Sequence, residues 1–386
     1  MLPMPLVKIT EDFLLQVCSE EWPESRTLEF KATMPGTKNE DREEFRKDVS
    51  ALANARGGDL VFGISTVDDK AKTLLGCAES SDGAKRRLQQ ILETNVEPRI
   101  DGIQYHSVAM TDGKHVVVLR IPQSFIGPHR VGQVSAHRFA YRDNTKTSDM
   151  TYDQLRNAFG MRESLLQRVK DFRSERLLKI ARDKAPVHLG ARPKIVVHIV
   201  PIQGLVGTIN LDVVDLHNRH DVFRLRDYSW NRRPNIDGLV RFPYDVDGPI
   251  DRYLQIFRNG SMEVVRADQY ESDKNPPAMP SSWVANLLRD SIKAYVEAVP
   301  KLRISGPVIV LLSLIDGGKT VLSPNDRSFA RVRLGDELLE IPESWVDDVT
   351  AIDLDATSQP ILDMFCQAYG EKRCELYDNN GRWNER

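Results

Sequence analysis

No run of apolar residues in this sequence is long enough to cross a bilayer, so its pattern offers no membrane-spanning helix. Met1 to Val7, broken by Pro3 and Pro5, is too short to read as a secretory leader. Cysteine is scarce: Cys18, Cys77, Cys366 and Cys374 are scattered through 386 residues without close pairing. That spacing excludes a disulfide framework and argues against a zinc cluster, so the four thiols are expected to be packing residues in a reducing, cytoplasmic compartment. Nor is there an excess of one charge. With a net charge of -3, any contact with nucleic acid has to rest on a local basic patch. Internal repeats and low-complexity segments are also missing. What remains, 41% hydrophobic and 28% charged, is the composition of a globular chain long enough for two domains.

Residues 23–76 carry most of the chemistry. In Leu28-Glu29-Phe30-Lys31 the two-residue period of a strand puts Leu28 and Phe30 on one face and Glu29 and Lys31 on the other, which is expected to be exposed. Glu24 lies between Pro23 and Ser25, residues that suit a turn swinging it back toward Glu29. Two carboxylates and an ammonium converging in this way suit divalent-metal phosphodiester chemistry: acidic oxygens hold Mg2+ or Mn2+, and lysine offsets phosphate charge. The other reading is a surface ion pair on an edge strand, the usual fate of charged side chains.

An amphipathic helix follows. Asn39 is expected to cap it, acidic residues occupy its first turn, and Phe45, Val49, Leu52 and Ala53 form its apolar stripe. Gly57 and Gly58 end it. Because those glycines sit at a helix C-terminus, they are not a phosphate cradle. Leu60-Val61-Phe62-Gly63-Ile64 reads as a strand buried on both faces that leads to the acidic pair Asp68 and Asp69.

Together these residues resemble the AlbA-like domain of the Schlafen family: Glu24, Leu28 to Lys31, Val49 to Asn54 with Gly57-Gly58, and Leu60 to Ile64. Downstream, Ile121 to Ser124, Pro128-His129 and Phe139 to Asn144 are similar to that domain's closing strand and loop. The resemblance spans about residues 20–158. It implies an α+β fold, a mixed sheet with flanking helices that handles nucleic acid. In its best understood members it implies a metal-dependent endoribonuclease that cuts structured RNA such as tRNA, which points to stress or antiphage defence. Other members are known only as DNA-binding domains, so the alternative is a non-catalytic DNA- or RNA-binding regulator. The resemblance assigns two metal-holding carboxylates to Glu24 and Glu29 and a phosphate-stabilising role to Lys31. Where the family has a third carboxylate this chain has Ser65, and Asp68 or Asp69 is the substitute ligand only if the turn after Gly63 curls back toward Glu29.

His129, Arg130, His137, Arg138, Arg142 and Lys146, with Phe139 and Tyr141 among them, form the candidate nucleic-acid-binding patch. The competing reading is a solvated surface around a buried strand. A helix over 11–19, another over 82–92, and strands over 100–110 and 115–121 joined by a turn at 111–114 complete an N-terminal domain over 1–160. His106 and His115 flank that turn and read as ordinary strand residues. A long helix over 161–184, rich in Arg and Lys including Arg173 and Arg176, reads as a connector over 161–185, with RNA contact or pairing with its own copy as alternatives. Residues 186–386 read as a second α+β domain, a sensor or docking module for an unidentified ligand or protein trigger. Its strands are expected over 195–201, 254–258, 262–266, 308–314 and 329–334, and its helices over 283–299 and 359–369. Gly317 to Thr320 mimics a nucleotide loop but reads as a turn, and His217 with His220 lacks a third metal ligand. With one recognisable lobe in the chain, a homodimer is the expected source of a second.

Overall fold

The computed structural model describes residues 1–386 except 80, 101, 126, 133–136, 224, 226–229, 244–249, 268–277, 303, 305, 319, 324–330, 333–336 and 385–386. The chain divides into two compact units, Met1–Ser164 and Leu165–Arg386, each an α+β assembly.

The first unit contains α1 (Glu11–Ser19), β1 (Leu28–Lys31), α2 (Asn39–Asn54), β2 (Gly58–Phe62), β3 (Ile64–Val67), β4 (Lys70–Leu74), α3 (Ser81–Leu92), β5 (Val96–Glu97), β6 (Gln104–Ala109) and β7 (His115–Ile121). It goes on through β8 (Arg130–Gly132), β9 (His137–Arg138), β10 (Ala140–Asp143), β11 (Lys146–Asp149) and α4 (Tyr152–Ala181), which begins in this unit and ends in the second. Four strands form the central sheet in the order β1-β2-β7-β6, with β1 parallel to β2 and the other pairs antiparallel. Alternation along β2 and β7 sends Val61, Val116 and Val118 to a core under α1, and Leu60, Phe62, Leu119 and Ile121 to a core under α2 and α3. Both faces of the sheet are therefore covered.

Two local details differ from the sequence pattern. Asn39 is the first helical residue of α2, with Lys38 in the cap position and no side-chain cap. Asp68 and Asp69, with φ of 53° and 57°, form the two-residue turn of the β3–β4 hairpin.

The second unit is built on an antiparallel sheet of β12 (Lys194–Pro201), β13 (Trp230–Pro234), β14 (Gly238–Pro243), β15 (Arg252–Phe257), β16 (Met262–Arg266), β18 (Val308–Ile315), β21 (Leu339–Glu340) and β22 (Ser344–Val346). Its order is β13-β14-β15-β16-β12-β18-β21, with β22 also on β18. The strands β17 (Ala278–Pro280), β19 (Val321–Ser323) and β20 (Arg331–Val332) make a separate small sheet. The first helices of this unit after α4 are α5 (Ile202–Leu205) and α6 (Val213–Asn218). The larger α7 (Ser281–Leu302) and α8 (Leu354–Gln367) cover one sheet face, and Leu177 and Ile180 of α4 pack on the other.

Arg173 and Arg176 of α4 are buried on that second face, so they are not free to meet phosphate. Arg173 donates to Ser313 Oγ and to the carbonyls of Leu312 and Ile341. Arg176 grips Glu263 with two hydrogen bonds of 2.8 and 2.9 Å, and Glu263 also pairs with His198 and accepts from Tyr253. The hairpin β13–β14 was not expected from the sequence. The 329–334 strand is described only at Arg331–Val332, and Lys319 of the loop mimic lies outside the described residues. His220 meets Arg232 rather than a metal-ligand set. All four cysteines are free and buried, but Cys366 and Cys374 are hydrogen-bonded neighbours, a pairing their spacing did not reveal.

Candidate functional site

Parallel pairing of β1 with β2 sets Glu29 beside Leu60 and Lys31 beside Phe62, on the face that α2 covers. Glu29 is consequently 5% exposed. The face expected to meet solvent is enclosed, and its charges are satisfied within the protein. A bridge between Ser25 and Leu28 forms the turn that returns Glu24 to this strand, where its Oε1 accepts the Phe30 amide at 3.0 Å.

Arg142 enters from β10 and is 2% exposed. Its Nη1 donates to Glu29 Oε2 at 2.5 Å, its Nη2 lies 3.7 Å from Glu24 Oε2, and its Nε reaches the Ser25 carbonyl at 3.3 Å. Lys31 Nζ completes the cluster at 3.0 Å from Glu29 Oε1, 2.9 Å from Asp48 Oδ2 and 3.3 Å from Glu44 Oε1. Asp48 was missed by sequence reasoning. Its signal is positional: with Phe45 three residues before it and Leu52 four after, it falls inside the inward stripe of α2. At the end of that helix Asn54 donates to the carbonyls of His129 and Ala140 and accepts the His129 amide, which fixes the closing segment against α2.

Four carboxylates, Glu24, Glu29, Asp48 and Glu44, share the buried Arg142 and the half-buried Lys31. Burial, and then Glu29, push the Asp48 carboxyl up to about 6 against the pull of Lys31. Burial likewise raises Glu24. Burial works against the Lys31 ammonium, but Asp48 and Glu29 outweigh it and hold its pKa above the ordinary value.

This arrangement does not fit a divalent metal. Both oxygens of Glu29 face cations, one oxygen of Glu24 is held by a backbone amide, and the other faces Arg142. The one cluster nitrogen left buried without a hydrogen-bond partner is Arg142 Nη2, a donor that calls for an acceptor and would repel a cation. Asp68 is exposed at its hairpin turn, and among the described residues no contact ties its side chain to Glu24 or Glu29; the turn does return beside Glu24 at Asp69, whose carbonyl accepts the Glu24 amide at 2.7 Å and whose charge adds to what raises the Glu24 carboxyl. Among those residues no group of three or more His, Cys, Asp and Glu side chains is placed to hold a metal ion. A cavity of about 340 Å³ opens beside Lys31 and Asp48, backed by Phe45 and Phe62. With Asp41 and Glu44 also on its wall, it is too acidic to welcome phosphate.

The basic patch is dispersed. His129 is fully buried with Nδ1 on the Pro98 carbonyl, and Arg142 lies inside the ion cluster. Arg130 pairs with Glu97, and Arg138 stands exposed 4.0 Å from Asp149. Lys146 is exposed and Tyr141 half-buried. The strand positions of Ala140 and Arg142 point inward, so Tyr141 takes the outer face of β10.

No helix among the described residues is long and apolar enough to cross a membrane. No curated protein matches the sequence. Among solved structures it is similar to the DIP2311 protein from Corynebacterium diphtheriae, at 17% identity and a TM-score of 0.24, covering 32% of this chain and 22% of that one. It is also similar to the N-terminal domain of a RecG-related protein from Nitrosomonas europaea, at 20% identity and a TM-score of 0.27, covering 37% of this chain and 92% of that one. The family model described as Schlafen, AlbA_2 matches residues 24–151. That span begins at Glu24 and takes in Glu29, Lys31, Asp48 and Arg142, so the ion cluster lies within the residues that match the Schlafen AlbA_2 model.

Proposed function

We propose that the N-terminal unit is a nucleic-acid-binding module that binds without cutting. The nucleic-acid part of this reading is supported by the Schlafen AlbA_2 match. The non-catalytic part is supported by one observation: the Glu24 and Glu29 oxygens already face Arg142, Lys31 and the Phe30 amide. Ser65, at the position of the family's third carboxylate, hydrogen-bonds across its own hairpin to the Thr73 carbonyl. Contact with phosphate then falls to surface cations such as Arg138 and Lys146, and the second unit serves as a sensor or docking module.

A second reading is favoured by the convergence of Glu24 and Glu29 on one guanidinium. If Arg142 and Lys31 release these groups when substrate arrives, the same carboxylates are available for a Mg2+- or Mn2+-dependent endoribonuclease acting on structured RNA such as tRNA.

One experiment separates the two. Full-length protein and its Glu24→Ala/Glu29→Ala variant are incubated with total cellular RNA and with DNA, with either metal or a chelator. Binding is read by mobility shift and cleavage on a denaturing gel. A shift that weakens with salt, with intact nucleic acid in every lane, is the expected result. Discrete metal-dependent fragments from the wild type alone would establish the nuclease instead.

A further inference from the structure

Thr151 accepts the Gln154 amide at the start of α4, and the helix then sets Tyr152, Arg156 and Phe159 at i, i+4 and i+7, on one face. Tyr152 is 77% exposed and Phe159 60% exposed, an unusual outlay of aromatic surface on one short stretch. Phe159 is not loose. It meets Phe139 edge to face, with centroids 5.7 Å apart and planes at 76°. Arg156 shares the helix face of Tyr152 and Phe159, and the exposed Arg138 adjoins Phe139 in the chain, so two exposed guanidiniums neighbour the three rings along the sequence.

The guanidiniums are weakly engaged. Arg156 lies 3.4 Å from Asp153 and Arg138 lies 4.0 Å from Asp149, both pairs exposed. Pairs of this kind are readily exchanged for phosphate oxygens, which a guanidinium can take two at a time.

Tyr152 and Phe159 are separated by about 10 Å along the helix axis, at roughly 1.5 Å per residue. Bases stacked in a duplex repeat at roughly 3.4 Å, so two rings this far apart suit bases that have been splayed out of a stack. Splayed bases are a property of single strands. A second copy of the chain would bury the rings but would also desolvate the exposed pairs Arg156–Asp153 and Arg138–Asp149 beside them, which makes it the poorer occupant.

We propose that Tyr152, Phe159 and Phe139, flanked by Arg138 and Arg156, are a stacking platform for single-stranded nucleic acid, an inference that rests on the nucleic-acid-binding reading above. Rings take bases in any sequence, and the guanidiniums take the phosphates between them. None of these residues lines the acidic cavity beside Lys31, so contact with a polyanion here does not require entry to that cavity.

The test is fluorescence anisotropy of full-length protein with a labelled oligouridine of about 15 nucleotides, the matching deoxy strand and a hairpin duplex, with sedimentation velocity on the same samples. The variants are Tyr152→Ala, Phe159→Ala, Phe159→Trp and Arg156→Gln. All alter exposed positions, and circular dichroism confirms their folding. Expected are preference for the single strands, weakening by about tenfold or more in either alanine variant, and retention in Phe159→Trp. The slope of log affinity on log salt should fall by about one in Arg156→Gln. Wild-type binding that both alanine variants match would refute the platform while leaving the binding reading intact. Absence of binding to every probe would overturn both. A wild-type dimer that Phe159→Ala converts to monomer, with binding unchanged, would assign this face to a second copy.

Discussion

Replacing Arg142 by Ala tests whether the carboxylates are committed to the fold. The side chain is 2% exposed and makes the 2.5 Å contact to Glu29, the longer approach to Glu24 and the bond to the Ser25 carbonyl. Removing one member of a buried ion pair costs about 3–5 kcal/mol, because the remaining charge stays desolvated. Here Lys31 still neutralises the other oxygen of Glu29, which places the expected loss near the lower end, about 3 kcal/mol. For a unit of this size that lowers the midpoint of thermal unfolding by about 6–12 °C. The loss should appear locally as faster hydrogen exchange in peptides covering 24–31 and 140–149. Its pH dependence has a definite sign. Burial already raises Glu24, and losing its cation raises it further, so the native state takes up a proton more readily than the unfolded chain. The deficit is therefore full at pH 7 and narrows as pH falls toward the ordinary carboxylate range. Divalent cations sharpen the result. Wild type should be indifferent to millimolar Mg2+ or Mn2+, whereas Arg142→Ala, with Glu24 and Glu29 oxygens freed, should regain stability with either. A variant as stable as wild type, or a wild type whose own midpoint rises to saturation with metal, would refute the reasoning.

Three further outcomes follow from the same physics. Glu263 is fully buried, and although burial pushes its carboxyl up, hydrogen bonds from Arg176 and His198 prevail and hold it at about 2. The stability it contributes is complete above its ordinary value of 4.5 and is lost as pH falls from there toward 2, about 3 kcal/mol over that window; Glu263→Gln should cost a similar amount at pH 7, measured by urea unfolding of the second unit. Asp48 has the opposite sign. Its carboxyl, pushed up to about 6, binds a proton more tightly when folded, so this group favours folding as pH falls from 6 toward 4, and a carboxyl carbon titration by NMR should show a midpoint near 6, against an ordinary value if the cluster does not form. Gly57 has φ of 69°, and a Cβ there would meet the Ile121 carbonyl and the Gln123 amide at 2.6 Å; with backbone on both sides to resist, Gly57→Ala should cost about 2 kcal/mol or more, and a loss below half that would show that the loop relaxes.

The elements with a clean local period were legible in the sequence. The helix at Glu11–Ser19, the strand Leu28–Lys31, and the hairpin between β6 and β7 follow from apolar spacing and turn chemistry alone. The family resemblance was legible too, since it rests on motifs spread over the same span as the match to residues 24–151. What stayed hidden was the fate of charge. Alternation along β1 correctly separates Leu28 and Phe30 from Glu29 and Lys31, but it cannot say that α2 closes over the polar side. That depends on Arg142, whose partner Glu29 lies 113 positions away, and on Asp48, which reads as one more acid on a helix with acidic residues along its length. The same failure recurs in the second unit. Arg173 and Arg176 look like a basic stripe because their acceptors, Ser313 and Glu263, lie on distant strands. His129 looks like a surface cation because Asn54 and Pro98, which hold it inside, are remote in sequence. In each case a polar residue tolerates burial only because a specific partner satisfies it, and that partner is non-local. A sequence rule that places charges outside must fail at such positions. The converse also holds: the exposed rings of Tyr152 and Phe159 sit on the first two turns of α4, ahead of the helix expected over 161–184, and the sequence pattern assigned them no role. Rings in water beside cations satisfy no demand of the fold, which is why they are the better pointer to a ligand than the ion cluster that the motifs marked first.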